Sequence, residues 1–184
     1  PFADLQWNWQ NKLLLVGLLV LFVSLSRTIT WSEVGARLPR RRWWIPVLAV
    51  VATVLGLQIL AGPLSQLPPT AEAAAFQAIM PGLDEELLFR GVLLVVLDHA
   101  LRARRAMWRG QVGWSVPISC LLFGLAHGLL IENGFVVNID PASGIASAVI
   151  GLLLVWVRIR WNSLWPAVLL HNGWNLSVVA ANAL

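Results

Sequence analysis

Residues Leu83–Leu97 read LDEELLFRGVLLVVL, placing Asp84, Glu85, Glu86 and Arg90 in a run of leucine, valine, phenylalanine and glycine. An ionised side chain at bilayer depth costs several kcal/mol, roughly 2.5–3.5 on insertion scales, so such groups face a bundle interior and mark function. In a helix turning about 100° per residue, Glu86 and Arg90 share a face, in the favourable order for an ion pair. Glu85 lies ~140° from Arg90 and is harder for it to neutralise. The economical assignment makes Glu86–Arg90 a structural pair and Glu85 the free carboxylate. A buried carboxyl without a fixed counter-ion can exchange protons near neutral pH, as general-base work requires. The plainer alternative is that both glutamates are merely satisfied charges at a helix N-terminus. That suits a soluble helix better than one in lipid, where idle charge is expensive.

The rest of the chain has the same apolar character. It is 58% hydrophobic and 12% charged over 184 residues, about half the charge of an ordinary soluble domain. These values point to an all-α fold: one polytopic transmembrane helical bundle over residues 1–184 rather than one or two soluble domains. Six apolar segments stand out, at about 12–26, 43–61, 82–101, 114–130, 143–158 and 162–182. Several fall short of the ~20 residues that cross a ~30 Å hydrocarbon core, so tilted or discontinuous helices are expected. Ahead of the third segment, 71–80 (AEAAAFQAIM) reads as a helix that Pro81-Gly82 breaks off, a re-entrant or interfacial piece. The first apolar run has no small-residue cleavage site after it, so no secretory signal peptide is evident. The chain starts at Pro1, so an earlier helix could precede it.

Charge orients the bundle. The alternate loops with Arg27, Arg37 and Arg40–Arg42, with Arg102, Arg104, Arg105 and Arg109, and with Arg158 and Arg160 hold 11 of the 13 basic residues. The loops between them carry Glu72, Glu132 and Asp140 instead. The positive-inside rule then makes the arginine loops cytoplasmic. Trp31, Trp43, Trp44, Trp108, Trp114, Trp161 and Trp165 gather near the same ends, as an interfacial belt would. Pro46, Pro117 and Pro166 fall in first helical turns, where a missing N–H is tolerated. Basic residues confined to short loops argue against nucleic acid as a partner and for membrane lipids. Cys120, the single cysteine, excludes an internal disulfide.

Two further segments carry polar groups. The fourth holds Phe123-Gly-Leu-Ala-His127; the sixth holds His171-Asn-Gly-Trp-Asn175, in which His171 and Asn175 stand one turn apart on one face. Each alone is a weak signal. Together they put a carboxylate pair, an imidazole and an imidazole–carboxamide pair on three helices of a chain with three histidines. The remaining histidine, His99, falls near an arginine-rich end and reads as interfacial. No Ser/His/Asp set is present, and Cys120 has no thiolate-stabilising neighbour in sequence, which disfavours a covalent nucleophile. Two histidines and a glutamate could also ligate zinc, as Glu85, His127 and His171, although no H-E-x-x-H is present.

Glu85-Glu86-x-x-x-Arg90, Phe123-x-x-x-His127 and His171-x-x-x-Asn175 resemble the three ordered motifs of the CPBP intramembrane proteases. That family contains the CAAX prenyl endopeptidases and the bacterial Abi and bacteriocin-processing proteins. Phe89-Arg90-Gly91 and Ser163-Leu-Trp-Pro-Ala167 match as well, so the likeness covers about residues 70–180. It implies a helical bundle, often of eight spans against about six here. It implies an intramembrane endopeptidase acting on a membrane-anchored or lipidated peptide. In it Glu85 activates a water with help from His127, Glu86 belongs to the catalytic glutamate pair, and His171 and Asn175 stabilise the oxyanion or hold the water. The favoured form needs no cofactor; a zinc enzyme is the alternative. A non-enzymatic scaffold or a proton-coupled transporter would also use buried Glu and His, but the internal repeat common in transporters is not evident. Counted at 1.5 Å per residue from the arginine side, Glu85 lies ~25 Å deep, His127 ~20 Å and His171 ~16 Å. All three depths fall in the half of the core away from the cytoplasm.

Overall fold

The computed structural model describes residues 7–39, 42–63, 65–101, 104–107, 110–132 and 136–184. Arg40, Arg41, Arg102, Trp108 and Arg109 of the sequence reading lie outside them. The helices are α1 (Trp9–Leu25), α2 (Trp31–Val34), α3 (Trp44–Ala61), α4 (Ala71–Glu86), α5 (Leu94–Leu101), α6 (Ser115–Gly128), α7 (Pro141–Trp161) and α8 (Trp165–Ala181). Each expected apolar segment is helical. Two antiparallel hairpins qualify the all-α expectation: β1 (Arg104–Met107) with β2 (Gly110–Gly113), and β3 (Leu129–Glu132) with β4 (Val136–Ile139). Among the described residues, two helices are long and apolar enough to cross a bilayer, α3 with mean hydropathy 2.2 and α7 with 2.0. Helices α1 and α6 are apolar but shorter, so by length and composition two of the six expected spans qualify.

The main departure from the sequence reading is at Pro81. The chain does not break there into a separate re-entrant helix at 71–80. Helix α4 runs through Pro81 to Glu86, continues as a π-helical segment over Leu87–Leu93, and passes into α5. A proline inside a helix removes one hydrogen bond and clashes with the preceding turn, normally kinking or ending it. Here α8 repairs the gap. Asn172 Oδ1 accepts the Gly82 N–H at 2.7 Å, and its Nδ2 donates to the Ile79 carbonyl at 3.3 Å. The fit is close: a Cβ on Gly82 would stand 2.5 Å from Asn172 Oδ1 and 2.6 Å from the Val168 carbonyl.

Local signals set the other boundaries. Thr30 and Glu33 form a reciprocal capping box on α2, and Thr70 accepts the Ala73 N–H to open α4. These Thr30 hydroxyl and backbone hydrogen bonds hold the Glu33 carboxyl below its ordinary range. Asp140 caps α7 with Pro141 in its first turn, and Asn162, at φ 48°, ends it. The α2, α5, α7 and α8 ends are tied together at one end of the bundle. Arg158 Nη2 donates to the Glu33 carbonyl at 2.6 Å, His99 Nε2 lies 3.1 Å from Glu33 Oε1, and Leu164 N–H donates to the Gly35 carbonyl at 2.9 Å. His99 thus pairs with Glu33 at the end of the bundle that carries Arg158.

Helix α8 packs against α3, α4 and α7, and α6 pairs with α7. Lipid tails are as apolar as leucine, so helices in a bilayer associate through close packing and polar contacts rather than a hydrophobic drive. The α6–α7 pair shows this. A Cβ on Gly124 would meet the Gly144 carbonyl at 2.6 Å and Ala148 Cβ at 2.9 Å. One on Gly128 would meet the Asp140 carbonyl and Gly144 Cα, both at 2.9 Å. Buried Gln58 of α3 donates to Ser177 of α8 at 2.6 Å, a polar tie of the second kind.

Gly124→Leu should force α6 from α7 and destabilise the fold by about 1–3 kcal/mol. Thermal unfolding in detergent would show a lowered midpoint, and an unchanged one would contradict the crossing described. Asn172→Leu should cost about 1–3 kcal/mol, because it leaves the buried Gly82 N–H unpaired. Amide exchange should quicken at Gly82.

Candidate functional site

The site begins with two charges that water does not reach. Glu86 and Arg90 both have fully buried side chains, joined by Arg90 Nη1 and Glu86 Oε1 at 2.9 Å. The pairing expected from their four-residue spacing is present, although the backbone between them is π-helical. Such segments interrupt α-helices chiefly at functional sites. Arg90 is held a second way, its guanidinium carbon 3.9 Å from the centre of the Phe123 ring. Such a contact is worth about 2 kcal/mol when desolvated. Gly151 of α7 makes room for it, since a Cβ there would stand 2.9 Å from Arg90 Nη2.

Phe123 joins this pair to the histidines. Its ring lies 4.4 Å from the His127 ring and 6.1 Å, edge-on, from that of His171. Its carbonyl lies 2.9 Å from His127 Nδ1, one helical turn on. His171 Nδ1 lies 2.9 Å from Glu86 Oε1, the oxygen that also holds Arg90. A carbonyl and a carboxylate oxygen can only accept, so both Nδ1 atoms carry the proton. Both Nε2 atoms are left to face the remaining carboxylate. Glu85 Oε2 is 3.6 Å from His127 Nε2 and 3.9 Å from His171 Nε2, and it has no hydrogen-bond partner among the described residues.

The sequence reading of Glu85 as a free carboxylate needs correction on its other oxygen. Lys12 of α1 places Nζ 3.0 Å from Glu85 Oε1 and 2.7 Å from Asp84 Oδ2. Lys12 and Asp84 were missed because nothing in the sequence says that α1 lies against α4. The available signal was that Lys12 is one of the two basic residues outside the arginine loops. Lys12 and Arg90 face three carboxylates, those of Asp84, Glu85 and Glu86. One negative charge therefore has no fixed cation of its own.

Asn175 shares a cavity with both imidazoles, as its one-turn spacing from His171 suggested. The cavity is about 120 Å³, and α6, α7 and α8 line it with His127, His171, Asn175, Ser147, Trp174 and Phe123 among others. Glu85 is not in that lining; the two imidazoles border the cavity while their Nε2 atoms approach the carboxylate. Cys120 takes no part, packing with Leu94, Val116 and Val155.

Residues 41–177 match the family model described as type II CAAX prenyl endopeptidase, Rce1-like. The chain belongs to that family. No curated protein and no solved structure matches it. Membership makes this Rce1-like chain a membrane peptidase of the CAAX class, and every residue from Glu85 to Asn175 lies inside the matched stretch. Helix α1, with Lys12, precedes it. For zinc, the donor set of an Rce1-like site would be Glu85, His127 and His171. Among the described residues no three His, Cys, Asp or Glu side chains are arranged to hold a metal ion. The Lys12 ammonium, 3.0 Å from Glu85, also sets a fixed cation against the carboxylate that a dication would need. The Lys12 contact is the feature of these residues that counts against a zinc centre.

Arg90→Met should be among the most damaging substitutions here. Removing one partner of a buried pair leaves an uncompensated charge and costs about 3–5 kcal/mol. Loss of folded protein in detergent, read by size-exclusion profile and thermal midpoint, is the expected outcome.

Proposed function

We propose that the chain is an intramembrane endopeptidase that cleaves a peptide bond in a membrane-anchored or prenylated substrate, using a water activated by Glu85 without a metal ion. The observation that carries this is the approach of two imidazole Nε2 atoms, at 3.6 and 3.9 Å, to the same oxygen of Glu85. These separations are too long for direct hydrogen bonds and suit a bridging water. Such a water donates one proton to Glu85 Oε2 and the other to an imidazole Nε2, leaving an oxygen lone pair free.

The step balances on these residues. The water oxygen attacks the scissile carbonyl carbon as its proton passes to Glu85. The oxyanion forms beside the imidazoles and the Asn175 carboxamide. Glu86, 2.9 Å from His171 Nδ1, holds the His171 ring with Nε2 toward the water, and the Asn175 carboxamide supplies the N–H that donates to the oxyanion. As the C–N bond breaks, Glu85 returns its proton to the leaving amine, giving a carboxylic acid and a free amine. The acid's remaining water-derived proton then passes to the imidazole Nε2 it faced and on to the amine, leaving a carboxylate and a free amino terminus. Glu86 serves mainly to hold Arg90 and orient His171. The arginine-bearing end of the bundle is assigned to the cytoplasm by the positive-inside rule.

Glu85→Gln should abolish hydrolysis of a prenylated reporter peptide by the purified protein, because the amide cannot accept the water's proton. Asn175→Ala should lower kcat on the order of 10²–10³-fold, the range for loss of one oxyanion donor. Turnover that survives Glu85→Gln, or that a strong chelator removes and zinc restores, would reject the mechanism.

A further inference from the structure

We propose that Lys12 is the positioning residue for the Glu85 carboxylate, so that helix α1, outside the matched stretch, completes the site. The inference rests on the function proposed above and adds a part that the family's motifs do not contain. The terminal torsion of a glutamate is broad and nearly two-fold, so a carboxylate alone does not distinguish its two oxygens. Here they are distinguished. Oε1 lies 3.0 Å from Lys12 Nζ, while Oε2 is turned to His127 and His171. Lys12 is itself fixed by its 2.7 Å contact to Asp84, whose side chain is almost fully buried.

Helix α1 is docked rather than merely adjacent. The Trp7 N–H donates to Glu72 Oε1 at 3.1 Å, and the Trp7 and Trp9 rings pack on Phe76 of α4 at 4.9 and 5.1 Å. Further along, Leu19 and Val23 are buried in one cluster with Leu87 and Val168. These contacts run along about four turns of α1 and set the height of Lys12 against Glu85. The charged groups facing Glu85 are then Lys12 from α1, Asp84 from its own helix, His127 from α6 and His171 from α8. Glu86 is turned to Arg90 and His171. Lys12 is the one fixed cation in direct contact with Glu85 among the described residues.

The test compares Lys12→Met, Lys12→Arg and the double variant Lys12→Met/Asp84→Asn, which removes the buried charge that Lys12 would otherwise balance. Lys12→Met should lower kcat on the order of 10²-fold, the usual penalty for a misplaced reacting group, with KM held within about two-fold. Lys12→Arg should recover kcat to within about ten-fold of the parent. The double variant should fold like the parent and remain slow. Full turnover in Lys12→Met, or in the double variant, would make Lys12 a structural counter-ion only and overturn the proposal. A second measurement is independent of catalysis: Lys12→Cys with Asp84→Cys, in a Cys120→Ala background, should be cross-linked by a bifunctional thiol reagent about as long as the Lys12 side chain, since the two backbones stand too far apart for a direct disulfide. No cross-link beside an active parent overturns the positioning role alone. A cross-link beside a parent that cleaves no prenylated peptide overturns the proposed function and, with it, the role given to Lys12.

Discussion

The buried pair of Glu86 and Arg90 is the constraint on which the other contacts of the site depend. Neither charge could stay in a fully enclosed, low-dielectric position without the other, since each ion alone carries a desolvation penalty of several kcal/mol. Their 2.9 Å contact makes the burial tolerable, and each partner then recruits a second helix. Arg90 lies over Phe123 of α6, and Glu86 holds His171 of α8. One ion pair on the central helical stretch thereby fixes the orientation of groups from two others. Phe123 adds the third link, packing against both imidazoles while its carbonyl fixes the tautomer of His127.

The backbone that carries these charges departs twice from a regular α-helix within a dozen residues, at Pro81 and over Leu87–Leu93. Both departures are supported from outside. Asn172 supplies the acceptor and donor that span the proline, and Val34 of α2 packs so closely on Gly91 that a Cβ there would stand 2.9 Å from it. Such irregularities persist only where neighbouring structure over-determines them, and they gather at functional sites.

Two adjacent glutamates are divided between different tasks by their surroundings. Glu86 is enclosed and spends one oxygen on Arg90 and His171. Glu85 is about one-fifth exposed and offers one oxygen to Lys12 and the other to the two Nε2 atoms. A like-charged neighbour on each side, Asp84 and Glu86, leaves the cluster one cation short of neutrality. That imbalance suits a group that must take up a proton and give it back.

The sequence by itself determined the helical membrane character, the positions of the apolar segments, the Glu86–Arg90 pair and which polar groups stand near one another: Glu85 with His127 and His171, and Asn175 in a cavity with both imidazoles. Spacing along one helix and the expense of charge in lipid are local and compositional, so they can be read without a fold. Helical spacing failed at Pro81, where proline is a breaker unless something distant satisfies the freed backbone groups, and Asn172 does so from ninety residues away. It failed again for Lys12 and Asp84, because a lone lysine in an apolar run does not announce which helix it will face. Those contacts, and the choice of which Glu85 oxygen turns to the histidines, were decided only in the tertiary structure. Hydrogen bonds and ion pairs between helices depend on how the helices pack, and packing is a property of the whole chain rather than of any segment.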